Sequence, residues 1–305
     1  MRFSLRSVSI LFRRLAHCSI RYQWPLWLTT EIDGCISIED DFQAICLNVT
    51  DHKWKNDSRL ASNVNFVMFS SLAFFSILNA HISNLFSFEV KFFATQHSNG
   101  WYTCGAYYLA KSLFDSIMIL SIVIIFAYVI DIYSTVSPNN FFWWQVINLY
   151  LSSLCFLALM NMNVLLLHRS IIAIFIVIGF SQGFFLLLSN VYNVIEEMNF
   201  IVRFLSNFSI YRYQFHATLW LIYGGDRCKS YEIQSLMYIF NIPTNVEYFY
   251  DCIVKLVLLV IFYHTMALLV FCVKYNPLIN RHERAERIER YRNEHILKIE
   301  SKHLF

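Results

Sequence analysis

Charge is scarce in this sequence, and so are the residues that break helices. Of 305 residues, 15% are Asp, Glu, Lys or Arg, 7 are glycine and 4 are proline. That charge is too sparse for a soluble domain whose apolar share is 57% and whose aromatic share is 18%. The chain reads as an integral membrane protein. Its 8 cysteines form no Cys-x-x-Cys pair, which argues against a zinc or redox site. Near the start, Arg13 and Arg14 interrupt the apolar residues before a signal-peptide core reaches useful length. His81, His168 and His264 stand alone in or beside apolar runs, with no nucleophile at useful spacing, so no enzyme is indicated. No metal site and no nucleic-acid partner is expected.

What the sequence does have is a series of long apolar runs. A run of about 18 residues or more crosses the hydrocarbon layer as a helix. Residues 63–87, 105–131, 141–167, 170–195 and 253–274 meet that requirement, the third entered through Phe142, Trp143 and Trp144 at the level of an aromatic belt. Residues 26–50 have the length of a span but carry Glu31, Asp33, Glu39, Asp40 and Asp41. An ionised acid at the bilayer centre costs about 2.5–3.5 kcal/mol, so this segment either crosses within a bundle that partners its acids or has lost independent insertion. Residues 1–25 hold Val8, Leu11, Leu15 and Ile20 among arginines. That pattern suits an amphipathic helix in the headgroup layer, or a disordered basic leader.

Between the spans, residues 51–62 read as a polar external loop near two acceptor triplets for glycosylation, at Asn48 and Asn56. Residues 196–251 hold apolar pieces too short to cross, suited to external re-entrant or interfacial helices. Lys255, near the external end of the last span, is placed to snorkel. Residues 278–305 alternate charge sign at i,i+4 and read as a solvated cytoplasmic helix. Lys and Arg fall on one side only if residues 26–50 count as a span, which gives six spans with both termini in the cytoplasm. The stretch from Phe88 to Ser116 then becomes a cytoplasmic elbow. Lys111 and Asp115, four apart, can pair on one face of the helix that leaves it.

Glu89, Phe93, Gly100 with Tyr102, and Ala106-Tyr-Tyr-Leu-Ala-Lys111 followed by Asp115 resemble the elbow of a known family. Leu187-Leu188-Ser189-Asn190 resembles a constriction in its fifth span, and Ile210-Tyr-Arg212-Tyr213 with Phe215 and Ala217 its re-entrant stretch. From about Ser7 to Pro277 the chain is similar to the ABC-2 type membrane domain of the G subfamily of ABC transporters, the White-type half-transporters. The resemblance implies an all-α bundle of six spans that exports a lipophilic molecule or lipid by alternating access, as a homodimer or a heterodimer with another half-transporter, in the plasma membrane. It implies a substrate cavity lined by Phe69, Ala73, Phe74, Ile77, Phe175, Ile178, Gly179 and Gln182, with Leu187 and Leu188 as plug. It also implies a coupling surface of Arg13, Arg14, Glu89, Lys91 and Gln96 resting on a nucleotide-binding domain.

Three departures qualify this reading. The 305 residues hold no GxxxxGK[ST] phosphate loop, so ATP and Mg would act only through a nucleotide-binding domain in trans or in a missing N-terminal region. Gln96 stands where the family has glutamate. Cys228 matches an external-loop cysteine of the family whose usual partner is absent, which leaves Cys252 as the external candidate. A second reading is therefore a degenerate, non-transporting homologue that dimerises with active half-transporters and regulates them.

Overall fold

The computed structural model describes residues 53–99, 101–134, 142–167, 171–189, 198–224, 237–238 and 240–275. Within them the chain is helical: α1 Lys53–Ser98, α2 Cys104–Ser134, α3 Phe142–Leu167, α4 Ile171–Leu187, α5 Phe200–Ser206, α6 Ile210–Tyr223 and α7 Val246–Lys274. No strand occurs among the described residues. The amphipathic segment 1–25, the acidic segment 26–50, Asn48 and the charged tail 278–305 lie outside them, as do Arg13 and Arg14.

Four helices are long and apolar enough to cross a membrane: Val64–His97, Cys104–Asp131, Phe142–Leu167 and Val246–Lys274. The helix α4 has 17 described residues, about 25 Å at 1.5 Å per residue. The polar stretch read as a loop over 51–62 is helical from Lys53 onward, so Asn56 sits in the first turn of α1. No glycine or proline occurs between Lys53 and Ser98, so nothing in the backbone chemistry stops the helix before the elbow.

Ring contacts fix how the helices run. Phe74 of α1 stacks on Phe126 of α2 with centroids 4.2 Å apart, while Glu89 meets Lys111, so α1 and α2 are antiparallel. Phe75 lies 4.9 Å from Phe156, and Trp144 lies 5.5 Å from Phe249. Lys274 donates to the Leu165 carbonyl at the far ends of α7 and α3, so α1, α3 and α7 run the same way. The helix α3 packs against α1, α2, α4, α6 and α7 and is the hub of the core, with Leu149, Phe156, Leu157 and Met160 fully enclosed.

The short helices α5 and α6 follow one another closely, and the turn between them packs against the bundle. In that turn, the Ser209 hydroxyl donates to the Phe185 carbonyl (2.7 Å) and the Phe208 carbonyl accepts from the Tyr263 hydroxyl (2.8 Å), half-way along α7. From there α6 runs back toward the start of α7, where Trp220 stacks on Phe249, and nearly every side chain from Ile210 to Tyr223 is buried.

Candidate functional site

The elbow folds as two helices joined by a tight turn. The Trp101 amide donates to the Gln96 carbonyl (3.1 Å), closing the end of α1, and Thr103 caps α2 by accepting from the Ala106 amide (3.3 Å). The His97 ring nitrogens face the Tyr102 carbonyl (2.8 Å) and the Tyr275 carbonyl (3.3 Å), fastening the turn to the end of α7. Phe93 lies within an aromatic cluster of Tyr107, Phe271 and Tyr275, at centroid distances of 4.4, 4.7 and 5.1 Å. The turn, the end of α3 and the end of α7 therefore share one end of the molecule.

Just inside that end lies a buried charge cluster. Lys111 Nζ sits 2.7 Å from Glu89 Oε2 and 2.7 Å from Asp115 Oδ1. The Lys111–Asp115 pair follows from its i,i+4 spacing; the reach of Glu89 across from α1 does not. Glu89 thus points into the bundle, toward α2. Gln96 is half-buried at the turn, and Lys91 lies on α1 between them.

The residues assigned to a substrate cavity divide into two sets. Phe69, Ala73 and Ile77, spaced by four, form one exposed stripe on α1. Gly179 is exposed on α4, and a Cβ built on it would meet nothing within 4 Å. Phe74 faces inward against Phe126, and Gln182 is buried. The Ser76 hydroxyl donates to Gln182 Oε1 (2.8 Å), and Gln182 Nε2 donates to the Phe75 carbonyl (3.4 Å). These bonds tie α4 to α1 behind the exposed stripe. Phe175 and Ile178 lie on α4, Leu187 is exposed at its end, and Leu188 is buried just beyond it.

Two further polar groupings were not legible from the sequence. Asn148 Nδ2 donates to the Gln214 carbonyl (3.0 Å) and Thr218 Oγ1 (3.0 Å), and Gln214 Nε2 donates to Ser71 Oγ (3.2 Å), joining α3, α6 and α1. His264, read as isolated, lies with Nδ1 3.0 Å from the Tyr108 hydroxyl. All these partners are far apart in the chain, so no local spacing announces them. Half-way along α6, His216 Nδ1 meets the Tyr248 hydroxyl at 2.7 Å. Burial, reinforced by the charges of Arg212 and Lys255, lowers the His216 pKa to about 3. Cys252 is a buried free thiol, and Cys228 lies outside the described residues.

The arrangement combines apolar helices of spanning length, a polar elbow at one end and an exposed apolar stripe on α1. Among the described residues no group of His, Cys, Asp and Glu is placed to hold a metal. A comparison with curated proteins finds no match. The family model described as ABC-2 type transporter matches residues 42–223, more than half of the chain, from ahead of α1 to the end of α6. Such a domain is the membrane subunit of an ABC-type exporter; it holds no ATPase site itself and works with a nucleotide-binding domain. With its long apolar helices, this multi-pass integral membrane protein belongs to the ABC-2 type transporter family.

Proposed function

We propose that the chain is the membrane subunit of a G-subfamily exporter that moves a lipophilic small molecule or lipid by alternating access between two such subunits. ATP hydrolysis comes from a nucleotide-binding domain on another polypeptide or in a region outside this sequence. The observation that carries this reading is the exposed stripe of Phe69, Ala73 and Ile77 on α1, with an open Gly179 on α4, the helix that the Ser76–Gln182 bond ties to α1. An apolar, partly aromatic wall with an open glycine suits a flat lipophilic molecule enclosed between two copies. The elbow supports the same reading. His97 and the buried Lys111 cluster make it a stiff unit, so a push received at Gln96 and Lys91 would reach α1, α2 and α7 together.

The test is co-expression with a complete half-transporter, followed by export and substrate-stimulated ATPase assays on the purified complex. The exporter reading expects both activities to rise with this chain present. A complex that forms and exports no better with the chain than without it would sink that reading and leave a regulatory homologue.

A further inference from the structure

Toward the end of the bundle opposite the elbow, two cations from different helices converge on one ring. Arg212 Cζ lies 5.9 Å and Lys255 Nζ 5.6 Å from the centroid of Tyr213. Arg212 is held in place, its Nη1 donating to Ser206 Oγ (2.6 Å) and Asn207 Oδ1 (3.4 Å). Lys255 pairs with Asp251 at 2.5 Å, but both side chains are nearly half exposed, a setting in which an ion pair contributes little. Arg212 and Lys255 both act against protonation of buried His216, so both cations are felt inside the seam.

An apolar wall runs inward from this charged pair. Lys255, Leu258 and Phe262 stand at i, i+3 and i+7, so they share a face of α7, and Leu258 and Phe262 are exposed on it. Across the seam, Phe208 packs on Phe262 with centroids 5.4 Å apart, and Phe204 on Phe208 at 5.5 Å. Seven residues of helix put Phe262 about 10 Å deeper than Lys255. Positive charge at one end of an exposed apolar strip matches an amphiphile with an anionic head.

We propose that this seam binds one phospholipid, its phosphate between Arg212 and Lys255 and an acyl chain along Leu258, Phe262 and Phe208. A guanidinium fixed by two side-chain acceptors still has N–H groups to give a phosphate, and charge-assisted bonds of that kind are the strong ones. Inorganic phosphate would use the cations and leave the wall idle; a neutral lipid would do the reverse.

The 305-residue chain, purified in detergent, can be titrated with phosphatidylglycerol, diacylglycerol and inorganic phosphate and read by native mass spectrometry. The expected result is one phosphatidylglycerol retained per chain, with the other two ligands bound at least tenfold more weakly. Lys255→Gln should weaken retention about fivefold or more, while Asp251→Asn, which removes the competing carboxylate, should strengthen it. Both positions are surface-exposed, so size-exclusion profiles should not change. Equal retention of diacylglycerol would reduce the site to an apolar seam, and equal binding of inorganic phosphate would reduce it to a bare anion site. Retention unaffected by both substitutions would place the lipid elsewhere. Each of these three results overturns the proposal.

Discussion

Lys111 on α2 stands 2.7 Å from Glu89 on α1, across the groove between the two arms of the elbow, while holding Asp115 on its own helix at the same distance. One buried ammonium thus serves two carboxylates. Taking charges out of water is costly, and the pairing repays that cost only while every member is present. Lys111→Met leaves two buried acids without a partner and should destabilise the chain by about 3–5 kcal/mol. Removing all three charges together, as Glu89→Gln, Lys111→Met and Asp115→Asn, should recover most of that loss. Fluorescence-detected thermal melts of the two variants provide the comparison.

Gly179 offers a cleaner probe of transport than of folding. The space beyond its Cα is open, and replacing a helical glycine with leucine improves helix propensity by up to about 1 kcal/mol. Gly179→Leu should therefore keep or slightly raise the melting temperature while reducing export by the co-expressed complex. Export at the unsubstituted level would show that this face does not carry substrate.

Asn148 is the bolt between the hub helix α3 and the buried helix α6. Asn148→Ala removes two donated bonds and leaves the Gln214 carbonyl without one of its donors inside the core. The cost should be about 1–3 kcal/mol. Hydrogen exchange should show it first in α6, which that side chain anchors to α3; uniform loosening of all helices would contradict the assignment.

His216 gives the fold a pH dependence of predictable sign. Its pKa in the folded chain is lowered to about 3, below the ordinary value of 6.5, because burial and the charges of Arg212 and Lys255 oppose the imidazolium. The unfolded chain then binds more protons between these values, so stability is complete above about pH 6.5 and falls as pH drops toward 3. The loss should reach about 2 kcal/mol at pH 5. His216→Gln should flatten melting temperature against pH over that range; an unchanged slope would assign the dependence to other groups.

Much of the helical architecture could be read directly. The run read as a span over 105–131 lies within Cys104–Ser134, and the one over 141–167 is almost coextensive with Phe142–Leu167. Bilayer thickness sets such lengths, and charges and turn residues mark where they end. Reading failed at the start of α1, where Lys53 to Arg59 look like loop because they are polar, although nothing in their backbone chemistry forbids a helix. The facing of residues was harder still. A helix that is apolar all round carries no periodic signal to separate Phe69, exposed, from Phe74, stacked on Phe126.

The sequence by itself determined that this is a membrane protein, where its four long apolar helices lie, and that Lys111 and Asp115 can pair, because those properties follow from lipid solvation and from spacing within one helix. Tertiary structure alone decided that Glu89 completes the Lys111 cluster, that Gln182 turns inward to Ser76 while Gly179 is left open, and that Arg212 and Lys255 each come within 6 Å of the Tyr213 ring. Each joins residues on different helices, whose relative rotation is set by how side chains pack across the bundle, and no pattern along a single helix records that rotation.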